Sequence, residues 1–132
     1  MNSKIQIKIC GINSNVSAKA CNNADFVGFV FYQKSPRFVT AFEAKEISKY
    51  LQPNLKKVGL FVNSEINLIK HIAEFVHLDL IQLHGAESIE NIQLIKKVTK
   101  KPIIKAIPVG NKTDIINSKK FKEVCDIILF DK

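Results

Sequence analysis

The chain is built on one alternation. A short apolar run suited to a strand is followed by a run with helical spacing, five times over, and a sixth strand-like run comes last. Strands are expected over 4–10, 24–31, 57–63, 78–84, 102–108 and 125–130, and helices over 16–21, 40–51, from 64 onward, 88–98 and 113–124. The second strand, ADFVGFVF, is a near-continuous apolar run rich in aromatic and β-branched residues, the pattern of a parallel strand buried on both faces. Ser14, Ser64 and Ser88 stand where helix caps belong, and Thr40 with Glu43 has the spacing of a capping box. Strand starts recur about every 25 residues, the length of one βα unit, although no sequence repeat is visible. Such units build either a doubly wound open sheet or a (β/α)₈ barrel; six strands suffice for the first and are too few for the second. Linkers are short and carry no Pro/Gly/Ser-rich boundary, so a single domain is expected.

The first strand narrows the choice. In KIQIKICGIN, Ile5, Ile7 and Ile9 alternate with Gln6, Lys8 and Cys10, so one face is apolar and the other carries an amide, an ammonium and a thiol. Isoleucines outward against helices and polar groups inward is the pattern of a parallel barrel. Cys10 is the last residue before Gly11, at the carboxyl end of the strand, where such folds keep their chemistry. A lone cysteine is also commonly a small apolar core residue, and this stretch alone leaves both readings open.

Composition excludes more than it assigns. At 132 residues, 46% apolar and 24% charged, the chain fits one soluble domain with a real core. No apolar run reaches the ~20 residues of a membrane helix. The first segment alternates instead of forming a signal peptide's apolar block, so a cytoplasmic chain without a membrane partner is expected. Cysteines at 10, 21 and 125 form no C-x-x-C pair and leave one over in any disulfide scheme, which fits reduced thiols. The net charge of +8 comes from nineteen lysines and one arginine spread over every segment. Such a spread reads as a solvated surface that favours an anionic small substrate, and no nucleic-acid partner is expected.

Polar residues gather at strand ends. The first strand ends in Cys10, the third in Asn63, the fourth in Gln82 to His84, and the sixth run is followed by Asp131. Gln82 and His84 lie two apart and project from the same face, where an unpartnered polar pair is costly to bury. A structural histidine with satisfied hydrogen bonds is the alternative. His71 and His77 show no ligand spacing and read as surface residues. With no H-E-x-x-H and no Cys/His cluster, no metal is expected; with no G-x-G-x-x-G or P-loop, a nucleotide site of the usual kind is unsupported.

Taken together, KICGI, DFVGFVFYQKSPRFVT, VGLFVN, DLIQLHGAES, IIKAI and the terminal ILFD resemble the phosphoribosylanthranilate isomerases of tryptophan biosynthesis, which are (β/α)₈ barrels. The resemblance covers practically the whole chain in the family's order, and KICG, SPR and QLHG at this spacing are far more specific together than singly. It implies an Amadori rearrangement of a small phosphorylated substrate, N-(5'-phosphoribosyl)anthranilate, to 1-(o-carboxyphenylamino)-1-deoxyribulose 5-phosphate, with no cofactor. It implies Cys10 as general base and Asp131 as general acid. Ring opening needs a proton delivered to the furanose oxygen, and the Schiff base then loses its C2' proton to a base, which a thiolate can be. A free thiol with pKa ~8.5 is mostly protonated at neutral pH, and Lys8, two residues back on the same face, is the candidate for tuning it. Arg37 matches the arginine of the family's S-x-R turn and is expected to meet the anthranilate carboxylate, a bidentate contact that lysine does not reproduce. Gln82 and His84 match QLHG and are expected to line the pocket.

Two departures from the family pattern stand out. The segment after Cys10 is short, and family members continue past the sixth strand through a glycine-rich loop, two further strands and the turns that hold the phosphate. The expectation is therefore a single partial-barrel domain over 1–132, five βα units plus strand six, lacking the last two strands and the phosphate-binding loops. Alone, such a chain is expected to be inactive or weakly active, and to associate through its unpaired edges or with a complementing fragment. A catalytically inactive remnant and an unrelated doubly wound module are the rival readings.

Overall fold

The computed structural model describes residues 4–132. Its strands are β1 (Lys8–Cys10), β2 (Phe26–Val30), β3 (Lys56–Phe61), β4 (Leu80–Leu83), β5 (Ile103–Pro108) and β6 (Ile127–Asp131). Between them lie α1 (Asn15–Lys19), α2 (Ala41–Ser48), α3 (Ile66–Val76), α4 (Ile89–Thr99) and α5 (Lys112–Ser118), the last followed by a 3₁₀ turn at Lys119–Phe121. All pairings are parallel, and the strands lie side by side in sequence order from β1 to β6. A doubly wound sheet reverses its strand order at a switch point; here nothing reverses. Residues of β1 and β6 line the same cavity, so the sheet curls into part of a barrel wall.

The two faces of the curled sheet are packed differently. Outward, Phe29, Phe61, Ile81 and Ile103 meet Ile47 of α2, Ile69 and Val76 of α3, and Ile92 of α4 in one continuous core. Inward, Val58, Leu80 and Ile104 form a small second cluster. α3 is long enough to show the pattern, burying Ile69, Ile72, Ala73 and Val76 and stopping at His77 in the left-handed conformation. Ser14, Thr40 and Ser88 accept the capping bonds their spacing foretold, with Glu43 completing the box at Thr40. Ser64 does not cap α3. The left-handed turn at Asn63 (φ 50) delays the helix start, and Glu65 takes the cap position without a side-chain bond.

The first strand is shorter and barer than its pattern suggests. β2 enters the ladder at Phe26 opposite Lys8, so residues 4–7 have no strand partner beyond the bonds Ile7 makes. Ile5 is 84% exposed and Ile9 39%, although both face the side that helices cover elsewhere. The fifth helix, expected over 113–124, breaks at Ser118 into the 3₁₀ turn, and β6 extends to include Asp131.

Residue identities hide a repeat that the backbone reveals. Asp25, Asp79 and Asp126 each stand just before an even-numbered strand. Each takes the backbone N–H of a residue at the start of the preceding strand through its carboxylate: Ile7 to Asp25 at 2.8 Å, Lys57 to Asp79 at 2.8 Å and Ile103 to Asp126 at 2.9 Å. Each aspartate's own N–H returns to that same residue's carbonyl, at 2.8, 2.8 and 2.9 Å. The strands are thus clasped in twos at their amino ends.

Candidate active site

The carboxyl ends of the strands surround a cavity of about 540 Å³ on the concave face. Lys8 and Cys10 enter it from β1, Gln82 from β4 with His84 just beyond, and Asp131 from β6. Arg37 comes from the loop between β2 and α2, and Leu60 and Leu129 supply apolar wall. All six residues selected from the sequence line this one space. Asn63 lies outside it; its side chain accepts the Ala86 N–H at 2.8 Å and so shapes the neighbouring loop.

Cys10 fits because its neighbour across the ladder has no side chain. Gly28 pairs with Cys10, and a Cβ on Gly28 would stand 3.1 Å from the Cys10 Sγ and 3.4 Å from the Lys8 Nζ. Thiol and ammonium thus share the space above one glycine. The signal for it was present in the sequence: a glycine inside a strand of bulky residues marks a close approach. The other cysteines differ in kind. Burial pushes the Cys21 and Cys125 thiols up, and Cys21 donates to the Ser17 carbonyl at 3.0 Å.

Arg37 is held over the turn that ends β1. Its Nη1 donates to the Cys10 carbonyl at 3.3 Å, and its stem covers Gly11, where a Cβ would lie 2.5 Å from the Arg37 Cδ. Gly11 has φ +83, a conformation open to glycine without strain, so it provides both the turn and the bed for the guanidinium. One bond to a carbonyl leaves most of a five-donor fork for an anion.

On the opposite wall three groups stand in a row. Gln82 is 1% exposed, and its Nε2 lies 3.4 Å from the His84 Nδ1. The other ring nitrogen, Nε2, lies 3.3 Å from the Asp131 Oδ2. The buried Gln82 Oε1 has no hydrogen-bond partner among the described residues. The His84 backbone N–H donates to the Phe61 carbonyl at 2.9 Å, which fixes the ring's root.

Sequence reading passed over the pair that braces this wall. Lys105 of β5 and Glu87 of the loop before α4 have side chains only 3% and 4% exposed, and their ion pair is 3.0 Å long. Glu87 also accepts the Asn63 N–H at 2.8 Å and the Gly85 N–H at 2.9 Å, while Lys105 donates to the Gly85 carbonyl at 2.6 Å. The loop following His84 is therefore tied to the end of β3 and to the middle of β5. A lysine flanked by apolar residues in IIKAI was the available sign, since buried charges are almost always paired.

Parallel βα units in sequence order, curled around a polar cavity at the strands' carboxyl ends, define a (β/α)-barrel protein with its site on the rim such folds use. The family model for N-(5'-phosphoribosyl)anthranilate (PRA) isomerase matches residues 7–132, and the chain belongs to that family. It is 38% identical over 129 residues to the N-(5'-phosphoribosyl)anthranilate isomerase of Rhodopseudomonas palustris, covering 96% of this chain and 59% of that protein. A crystal structure of a phosphoribosyl anthranilate isomerase in complex with reduced 1-(o-carboxyphenylamino)-1-deoxyribulose 5-phosphate is 38% identical, with a TM-score of 0.88 over 97% of this chain and 65% of that one. The isomerase of Thermotoga maritima gives the same TM-score at 36% identity, over 98% of this chain and 63% of that one. The chain thus spans about 60% of the length of the curated relatives it matches. Among the described residues, no helix is long and apolar enough to cross a membrane.

Proposed function

We propose that this chain carries the acid–base site of an Amadori isomerase that converts N-(5'-phosphoribosyl)anthranilate to 1-(o-carboxyphenylamino)-1-deoxyribulose 5-phosphate. The single observation that supports this most is the shared cavity, in which a thiol and a carboxylate enter from opposite edges of the curled sheet with an arginine on the rim. Asp131 gives its proton to the furanose oxygen as the C1' nitrogen pushes the ring open, leaving a Schiff base. The Cys10 thiolate then takes the C2' proton, and the electron pair moves through C1' to neutralise the iminium nitrogen. The resulting enolamine rearranges to the ketose. The Lys8 ammonium stands where it attracts the thiolate, and Arg37 meets the anthranilate carboxylate, while Gln82 and His84 form the wall against the sugar. The reaction draws on side chains alone and fits a cytoplasmic setting, where the three free thiols stay reduced.

The same reading treats residues 1–132 as part of a barrel. β1 and β6 are each paired on one side only among the described residues, and Ile7, Ile127 and Phe130 are exposed there. Further parallel strands pair with these edges, from a continuing chain or a separate fragment, and bring the turns that hold the phosphate. The test is an isomerase assay by loss of substrate fluorescence, with and without a fragment supplying those strands. The complemented chain is expected to turn over, and Cys10→Ala and Asp131→Asn each to lower kcat by ~10²–10⁴-fold. Near-parental kcat in either variant would remove that residue from its role.

A further inference from the structure

Gln82 stands where no step of the reaction needs it, nearly fully buried, with one end of its amide unpartnered. It sits in the middle of the inner wall, in register with Leu60 on one side and Ile104 on the other, so both of its neighbours along the sheet are apolar. Each nitrogen of the His84 ring has one neighbour, the amide at Nδ1 and the Asp131 carboxyl at Nε2. An amide nitrogen can only donate. When it faces Nδ1, that ring nitrogen accepts, the proton of the neutral ring sits on Nε2, and Asp131 is met by a donor. An amide has nearly the same shape when turned end for end. With the oxygen facing the ring, Nδ1 carries the proton and Nε2 presents a lone pair, which only a protonated Asp131 can satisfy.

We propose that Gln82 is a positioning residue for the proton on Asp131: its amide, acting through the two nitrogens of His84, decides whether that carboxyl meets a donor or an acceptor. This rests on the reading of Asp131 as the acid, and it gives the buried amide a task distinct from lining the pocket. In the setting with the amide nitrogen on Nδ1, Asp131 is held as the carboxylate. In the turned setting it is held as the acid that the ring-opening step consumes. The other titratable and charged groups around this cavity are Lys8 and Cys10 from β1 and Tyr32 and Arg37 from the loop after β2. None of them lies within hydrogen-bond distance of the His84 ring, so the tautomer is left to the amide and the carboxyl.

The experiment is nitrogen NMR of the chain with ¹⁵N-labelled histidine, which distinguishes a protonated from an unprotonated ring nitrogen. In the parent, His84 is expected as a single neutral tautomer with the proton on Nδ1, the setting that leaves Asp131 the acid. Gln82→Met keeps the volume and removes both polar ends, so the Asp131 carboxyl alone sets the ring, and the proton is expected to move to Nε2. A parent with the proton on Nε2 overturns the proposal without any variant, and so does a tautomer unchanged in Gln82→Met. Because this readout needs no turnover, it separates the two ideas. Turnover with an unmoved tautomer sinks the role of Gln82 alone, and a moved tautomer without turnover sinks the isomerase reading alone.

Discussion

The four middle strands and the two outer ones are made of similar residues and meet different surroundings. Phe61 on β3 is fully enclosed, whereas Phe130 on β6 is half exposed; Ile103 on β5 is buried, whereas Ile7 beside β1 is not. Apolar character in a strand states what the chain would bury, and burial follows only where a neighbour stands on both sides and a helix lies on top. The chemistry divides along the same line. Cys10 and Asp131 belong to the outer strands, and the Gln82–His84 wall they face belongs to the middle. A closed interior thus aims polar groups at a thiol and a carboxyl carried by strands that are paired on one side only among the described residues.

The largest test of this contrast compares two phenylalanines. Phe61→Ala should destabilise the chain by about 3–5 kcal/mol, the usual result of emptying a closed core site. Phe130→Ala should fall within about 0.5 kcal/mol, as an exposed substitution does. Urea unfolding measures both, and equal losses would show that β6 is packed as tightly as β3.

The next compares the buried cation with an exposed one. Lys105→Met leaves the Glu87 carboxylate enclosed and without its countercharge, and should destabilise by about 3 kcal/mol. Since Glu87 ties the loop after His84, isomerase activity in the complemented chain should fall with it. An unchanged midpoint in denaturant would mean that the backbone N–H donors alone satisfy Glu87.

The smallest effect belongs to Asp126, whose carboxyl is held below its usual range chiefly by the hydrogen bond from Lys96, with the Ile103 N–H adding to it against some burial. A lowered carboxylate stabilises the fold above its ordinary value of 3.8 and loses that contribution as pH falls through the folded value. The pair is exposed, so Lys96→Met should remove less than about 1 kcal/mol at neutral pH. The difference between variant and parent should shrink toward zero in acid, and a difference that grows instead would contradict the sign.

The sequence conveyed the alternation, the caps at Ser14, Thr40 and Ser88 and the six cavity residues, because each depends on local spacing or on a motif. It could not convey pairing order, which depends on how distant strands meet. That order decided between an open sheet and a barrel wall. The exposure of Ile5 and Ile9 was illegible for the same reason, since alternation reports which face a residue is on and not what covers it. The Glu87–Lys105 brace joins residues 18 apart through the fold, and the contact between His84 and Asp131 spans two units; neither leaves a periodic trace.

The three aspartate clasps give the barrel wall a grain. β2 is fastened to β1, β4 to β3 and β6 to β5 by a carboxylate at the amino end, while β2 and β3, like β4 and β5, meet through backbone bonds without one. A recombination point between α2 and β3, or between α4 and β5, leaves every clasp whole. A point inside a clasped pair strands a carboxylate on one parent and an amide on the other. The natural increment for shuffling or duplicating such a chain is therefore a pair of βα units, so that chimeras joined after α2 or α4 inherit intact modules and those joined after α1 or α3 do not.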